Sequence, residues 1–228
     1  MVRIAVEGPR GYNRPMPATL DVVLLHGLWM PGFVMAPLAS RLAQRGFRTH
    51  VFDYASRRTP IEVHADRLAR FAREAANEAP VHFVGHSLGG LVVLAALGRP
   101  DPPAAAGVVL LGTPARGCMA GRRLAGAAPG RWMLGESEPL WHEGRVSKWD
   151  RRAPLGVVAG SRPSFGLGRM LGRLPGANDG VVRLEETQVD GMDDCILLPV
   201  GHTELIFSAR VEFQTAHFLA HGHFNHDD

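Results

Sequence analysis

The chain has 228 residues, of which 46% are hydrophobic and 21% are charged, and its formal net charge is +3. This length suits one domain, and this composition excludes an intrinsically disordered chain. The basic residues form no basic helix and no aromatic-basic stripe, so nucleic-acid binding is not predicted. No apolar run approaches the roughly 20 residues of a membrane-spanning helix, and the N-terminal residues lack the apolar segment of a signal peptide. We therefore expect one domain over residues 1–228, located in the cytoplasm.

Six short apolar runs, rich in Val and Leu and bounded by Gly, Pro or Asp, recur along the chain. Continuous rather than alternating hydrophobicity is typical of strands that are buried on both faces of a parallel sheet. The predicted strands cover residues 21–26, 47–53, 81–86, 107–112, 155–160 and 195–200.

Helical patterns of apolar residues lie between these runs. The predicted helices are Pro37–Arg45, Ile61–Ala79, Leu88–Leu97 and Glu204–Ala220. Strands that alternate with helices predict an α/β fold, here an open, mostly parallel sheet of about six strands flanked by helices.

Residues 113–154 separate two predicted strands by far more than an ordinary connection. One interpretation is an inserted helix or two whose apolar face packs on the edge of the sheet. The other is a helical cap or lid over a site, with aromatic and Met side chains that touch an apolar ligand. Three of the four tryptophans fall in this segment, which favours the cap. The candidate substrate-binding residues are Trp132, Met133 and Trp141 of the insertion, and Trp29 in the loop after the first strand.

A single serine stands between glycines where the third predicted strand meets an apolar helix. The residues Gly85-His86-Ser87-Leu88-Gly89 fit the G-x-S-x-G pattern of a nucleophile elbow. A turn this sharp strains the central residue, and glycines on either side remove the Cβ atoms that would collide with neighbouring elements. The alternative is an ordinary turn. We expect Ser87 to be a nucleophile with its Oγ raised above the sheet.

A serine hydroxyl needs a histidine as base and a carboxylate that orients the histidine. Among the 11 histidines, only His202 directly follows the last predicted strand and precedes a helix, where the base of an open α/β sheet belongs. A purely structural histidine is the alternative at this position.

The acid is expected in the loop after the fifth predicted strand, which contains Asp179. Because Asp179 lies within Asn-Asp-Gly, an ordinary turn is the alternative interpretation. Asp190, Asp193 and Asp194 compete, but they precede the last strand and so lie at its opposite end. Position along the chain therefore favours Asp179.

The oxyanion that forms when a serine attacks a carbonyl needs two main-chain N–H donors. One is expected from Leu28, in the loop after the first strand, and the other from Leu88, next to the nucleophile.

No metal and no organic cofactor is expected. His221, His223 and His226 could bind a metal, but a solvated, fraying end is favoured for this tail. Cys118 and Cys195 are interpreted as buried free thiols, with a disulfide left open.

Five segments in this order resemble the α/β-hydrolase superfamily, and more narrowly its small lipase-like serine esterases. They span residues 22 to 206 and read V-L-L-H-G-L, F-V-G-H-S-L-G-G, L-L-G-T-P-A-R-G, N-D-G-V-V and V-G-H-T-E-L. The resemblance implies Ser87 as nucleophile, Asp179 as acid and His202 as base, with Leu28 and Leu88 forming the oxyanion hole. It also implies fewer strands than the eight of the full family fold.

The expected activity is hydrolysis of a small-molecule or lipid-like carboxylic ester with a hydrophobic acyl group, through an acyl-enzyme. Two alternatives remain open from the sequence. The same triad could cleave a thioester or an amide, or the chain could bind a ligand without turnover.

Overall fold

Six strands form one sheet in the computed structural model, which describes residues 21–142, 149, 153–163 and 173–227. The order across the sheet is β2-β1-β3-β4-β5-β6, and every neighbouring pair is parallel. The predicted α/β class is confirmed, and each strand begins and ends close to its predicted run. The strands are β1 Asp21–Leu25, β2 Arg48–Phe52, β3 Val81–His86, β4 Ala105–Leu111, β5 Leu155–Gly160 and β6 Asp194–Leu198.

Helices cover both faces of the sheet. In the described residues the α-helices are α1 Ala36–Gln44, α2 Ile61–Ala75, α3 Leu88–Leu97, α4 Met119–Ala125, α5 Ala128–Leu134, α6 Leu184–Thr187 and α7 Ala209–His221. Short 3₁₀ helices cover Gly32–Met35, Gly135–Trp141 and Thr203–Ile206. None of the helices in these parts of the chain has the length and hydropathy that crossing a membrane requires.

Strands β1, β3, β4 and β5 are buried on both faces, as their continuous hydrophobicity predicted, whereas the edge strand β2 is mostly half-buried or exposed. Val22 and Leu24 of β1 pack in the cluster that contains the apolar side chains of α1 and α7. Val23 and Leu25 point the other way and pack in the cluster formed by α2, α3 and the insertion. Burying one such side chain contributes about 1.5–3 kcal/mol. The alternation of strand side chains between two covered faces therefore accounts for the unbroken apolar runs.

Two predicted helix boundaries are wrong, each for a local reason. The segment predicted as one helix from 204 to 220 is a 3₁₀ turn followed by α7, because Ser208 caps α7 by accepting a hydrogen bond from the Val211 N–H. Helix α2 ends at Ala75 rather than Ala79, because Asn77 and Glu78 adopt left-handed backbone angles, with φ of 49° and 63°.

The C-terminal tail packs against the domain, so the predicted fraying end is wrong. Phe224 is buried with its ring 4.8 Å from that of Phe218, and its N–H donates to the Asp194 carboxylate at the start of β6. The His226 ring bonds to the same carboxylate. No group of three or more His, Cys, Asp or Glu side chains in the described residues is arranged to hold a metal ion.

The two cysteines are buried free thiols, which confirms the sequence interpretation. Burial raises the pKa of the Cys118 thiol to about 12 and that of the Cys195 thiol to about 11. Both sulfurs therefore stay protonated at neutral pH.

The segment predicted as an insertion, residues 113–154, contains α4, α5 and the 3₁₀ helix Gly135–Trp141. Leu134, Leu140 and Trp141 bury their side chains in the same cluster as α2 and α3. Residues 143–148 and 150–152 of this segment lie outside the described residues.

The order of the strands reverses between β1 and β3, and the loops that follow these two strands lie next to each other. The chain runs from β1 to the edge strand β2, then returns to β3 on the other side of β1. Leu25 is paired with Gly85, so the loops that follow β1 and β3 begin at the same level. In open α/β sheets, ligands bind at the carboxyl ends of the strands at such a point.

Candidate active site

Ser87 occupies a strained turn between β3 and α3. Its φ of 52° and ψ of −119° lie where a side chain costs roughly 1–3 kcal/mol. Its N–H donates to the Leu111 carbonyl at 2.9 Å, which ties the turn to β4. A Cβ atom at Gly85 would lie 2.5 Å from the Gly90 Cα, and one at Gly89 would lie 2.6 Å from the His26 carbonyl oxygen. Both glycines of the predicted elbow are therefore required by close approach of the backbone.

The loop after β1 lies against this elbow. A Cβ atom at Gly27 would lie 3.2 Å from the Ser87 Cβ, so the two turns are in contact. Leu88 is the first residue of α3, and the first N–H groups of a helix have no partner within it. Among the described contacts, neither the Leu28 nor the Leu88 N–H has a protein acceptor. Of the two residues predicted for the oxyanion hole, Leu28 thus follows the glycine that contacts the elbow, and Leu88 follows Ser87 itself.

Asp179 and His202 form a buried hydrogen-bonded pair. The His202 Nδ1 lies 2.7 Å from the Asp179 Oδ2, and the His202 N–H donates to the Asp179 carbonyl at 3.0 Å. The exposed fractions of the two residues are 1% for Asp179 and 8% for His202. Because Nδ1 donates to the carboxylate, Nε2 is the ring nitrogen that can accept a proton.

The turn that was the alternative interpretation of Asp179 is present, and the carboxylate of the same residue also bonds to His202. Gly180 has a φ of 97°, and its N–H donates to the Asn178 side-chain oxygen, which closes a turn. The Asp179 Oδ1 accepts the N–H groups of Val181 at 2.9 Å and Val182 at 2.7 Å. The turn therefore fixes one carboxylate oxygen and leaves the other for His202.

The competing carboxylates have other partners. Asp193 accepts the Leu155 N–H at the start of β5, and Asp194 opens β6, so both lie at the amino ends of strands. Asp190 forms an ion pair with Arg116. The structure brings Asp179, and none of these three, to His202.

His86 connects the elbow to the base, a role that the sequence reasoning missed. Its Nε2 donates to the His202 carbonyl at 3.0 Å, and the two ring centroids lie 4.9 Å apart. Burial, reinforced by the neighbouring His202, lowers the pKa of His86 to about 3, so its ring is neutral at physiological pH. The only sequence signal was its place directly before Ser87.

The two halves of the site are held side by side by these backbone contacts. The described contacts include no hydrogen bond between the Ser87 Oγ and the His202 ring. Catalytic hydrogen bonds are often long or poorly aligned before substrate binds, so the lack of this bond is compatible with the predicted pairing.

His86 makes the stability of the fold depend on pH. Its folded pKa of about 3 lies below the ordinary value near 6.5, so between these values the unfolded state binds more protons. Its contribution to stability is complete above about pH 6.5 and is lost as the pH falls towards about 3. We expect the difference in free energy of unfolding between pH 7 and pH 4, measured by urea denaturation, to be smaller in His86→Gln. An equal difference in both proteins would contradict this assignment.

The predicted substrate-binding residues occupy different environments. Trp29 is 40% exposed, and its indole N–H donates to the Met133 carbonyl at 2.8 Å. Trp132 is 74% exposed, with the Arg57 guanidinium 5.0 Å from its ring centroid. Trp141 is 4% exposed and donates to the Ser137 hydroxyl inside the insertion. The structure thus brings Trp29 and Met133 together and places Trp141 in the packing of the insertion.

The chain matches the alpha/beta hydrolase family over residues 22–227. Its structure is similar to that of the lipase BlEst2 of Bacillus licheniformis in its mature form, with a TM-score of 0.72 and 18% identity over 91% of this chain and 93% of that one. A thermophilic esterase from Thermogutta terrifontis gives a TM-score of 0.59 and 17% identity over 82% and 84% of the two chains. A pyrethroid hydrolase from Sphingobium faniae JZ-2 gives 0.58 and 16% over 89% and 98%.

At these low sequence identities, the similarity to solved structures shows the fold and not the substrate. No curated protein sequence matches the chain significantly. The family match covers most of the chain and begins in β1 and ends in the tail that packs on β6. The chain belongs to the alpha/beta hydrolase family.

Proposed function

We propose that the chain is a serine hydrolase of carboxylic esters that acts through an acyl-enzyme. The observation that carries this proposal is the 2.7 Å bond between Asp179 and the Nδ1 of His202, made beside the strained turn that holds Ser87. A buried carboxylate in this position keeps Nε2 unprotonated and stabilises the imidazolium that forms when Nε2 takes a proton.

In the proposed first step, the Ser87 Oγ attacks the ester carbonyl while the His202 Nε2 accepts the hydroxyl proton. The negative charge on the carbonyl oxygen is stabilised by the N–H groups of Leu28 and Leu88, at about 3–4 kcal/mol per donor. His202 then gives its proton to the alkoxide oxygen of the leaving alcohol as the C–O bond breaks. This leaves the acyl group esterified to Ser87.

In the second step, water attacks the acyl-enzyme, and His202 accepts one of its protons. Collapse of the second tetrahedral intermediate returns that proton to the Ser87 oxygen and releases the carboxylic acid. The neutral state of His86 supports these two steps. A second positively charged ring 4.9 Å from His202 would disfavour formation of the His202 imidazolium.

The proposed substrate is a small-molecule or lipid-like ester with a hydrophobic acyl group, bound under a cap to which the insertion, residues 113–154, contributes at Trp132 and Met133. The support is the contact between the insertion and the loop that carries Leu28, made by Trp29 and Met133. Exposed indole surface on Trp29 and Trp132 offers apolar contact area beside this junction.

Labelling with alkyl fluorophosphonates tests the proposal. We expect the wild-type protein to be labelled on Ser87, with a rate that increases with the length of the alkyl chain, because a longer chain covers more apolar surface. Ser87→Ala should not react. Ser161→Ala is the matched control, because it removes a hydroxyl that bonds to the Leu198 carbonyl and should leave labelling intact.

Two results would contradict different parts of this proposal. A wild-type protein that resists the probe would contradict the nucleophile. Labelling that does not depend on chain length would contradict the apolar acyl site while leaving the nucleophile in place.

A further inference from the structure

Trp29 adopts a backbone conformation that a large side chain rarely occupies. Its φ is 62°, in the left-handed region, and it follows directly after Leu28, whose N–H is proposed for the oxyanion hole. Bulky L-residues are outliers in this region. Contacts around Trp29 must therefore hold the chain in this turn.

The residues His26–Gly32, here named the oxyanion loop, are bound on one side by the segment that follows β2. The Asp53 Oδ1 accepts the Gly32 N–H at 2.8 Å, and the Tyr54 hydroxyl donates to the His26 carbonyl at 2.8 Å. The Ser56 Oγ accepts the N–H of Trp29 itself at 3.2 Å. These bonds hold both ends and the centre of the loop.

On its other side the oxyanion loop is held by the insertion through one side chain. The Trp29 Nε1 donates to the carbonyl of Met133, next to the end of α5, at 2.8 Å. Because Trp29 is 40% exposed, burial alone does not fix the orientation of its ring, and among the described contacts this hydrogen bond is the directional one that does.

Residues 132–136, here named the corner of the insertion, are also bound to the segment after β2. The Arg57 side chain donates to the Trp132 carbonyl at 2.8 Å, and the Glu136 N–H donates to the Arg57 carbonyl at 3.0 Å. Arg57 directly follows Ser56, which holds Trp29. The insertion, the oxyanion loop and the segment after β2 thus form a closed ring of contacts around Trp29.

We propose that Trp29 is a positioning residue whose indole bond to Met133 sets the direction of the Leu28 N–H and so couples the insertion to the oxyanion hole. This inference rests on the proposed function. When the corner of the insertion is displaced, the indole loses its acceptor, the left-handed turn relaxes and the Leu28 donor leaves its place. Because that donor acts on the transition state, the effect falls on kcat rather than on KM.

The test measures kcat and KM for p-nitrophenyl butyrate in Trp29→Phe, which keeps an aromatic ring and removes the N–H donor. We expect kcat to fall about 10- to 100-fold, as for a small misplacement of a catalytic group, with KM within about twofold of the wild type. Ser56→Ala, which removes the acceptor of the Trp29 N–H, should lower kcat in the same direction. The double variant should lose less than the product of the two single effects, because both bonds hold one turn.

Trp149→Phe is the matched control. It removes a bond of the same kind, from the Trp149 indole N–H to the Ala153 carbonyl at 3.0 Å, made between residues at the other end of the insertion. It should lower the unfolding temperature and leave kcat unchanged. If Trp29→Phe does not fold, Ser56→Ala alone decides the question through the same kcat-against-KM comparison.

The inference is overturned if Trp29→Phe leaves kcat unchanged, whatever Ser56→Ala does, or if only KM rises, since the indole would then merely contact substrate. Fluorophosphonate labelling separates this failure from failure of the proposed function. If the function is wrong, wild type and Trp29→Phe both remain unlabelled. If only the inference is wrong, both are labelled at equal rates.

Discussion

Ser87→Ala is expected to lower kcat for an ester substrate by about a million-fold, the loss typical of removing a serine nucleophile from a triad. The physical reason is that the turn between β3 and α3 carries no other hydroxyl. Ser87 alone stands at the turn between β3 and α3, raised by a backbone conformation that the Leu111 carbonyl and the close glycines maintain.

Ser87→Gly is a second variant that separates the loss of the hydroxyl from the strain of the turn. It removes the same hydroxyl and also releases the strain at φ 52°, so it should be as inactive as alanine but more stable by about 1 kcal/mol. The measurements are steady-state kinetics and urea denaturation of the two variants. Residual turnover above about one per cent of the wild type in either would rule out Ser87 as the nucleophile.

Asp179→Asn should lower kcat by about 10⁴-fold while the fold is kept. Asparagine has the same shape, and its side-chain oxygen can still accept the Val181 and Val182 N–H groups. Its amide NH₂ then faces His202 and donates to Nδ1, which forces the proton of the ring onto Nε2. The base nitrogen is thus lost by a change of tautomer rather than by a change of shape.

Asp190→Asn is the control for this prediction. Asp190 also pairs with a cation, Arg116, but it makes no described contact with His202. We expect its kcat to stay within about twofold of the wild type, in keeping with the small effect of exposed ion pairs. Equal losses in Asp179→Asn and Asp190→Asn would show that the effect is not specific to the proposed acid.

The fold was largely predictable because one physical signal dominates it. A strand covered on both faces is apolar at most of its positions, and β1, β3 and β5 therefore stand out without any alignment. Helix ends were less predictable, because they depend on single local interactions. The cap made by Ser208 and the left-handed angles of Asn77 and Glu78 leave little trace in an apolar pattern.

The candidate site was predictable where position along the chain carries the information. Ser87, Asp179 and His202 each follow a strand, and parallel strands bring such positions to one edge. Their catalytic roles and the cytoplasmic location stay predictions. Contacts between side chains and distant backbone were not predictable, because the sequence does not show which residue faces which. The bonds of His86 to His202 and of Asp53 to Gly32 are of this kind.

The order of the strands also bears on how the protein is made. The nucleophile turn lies between β3 and β4 in chain order, while His202 follows β6, the last of the described strands to be synthesised. Until β6 has been synthesised, a nascent chain that carries Ser87 does not yet carry His202. Under the proposed function, hydrolysis begins only after β6 has docked beside β5, so a half-synthesised molecule is inert towards the esters around it.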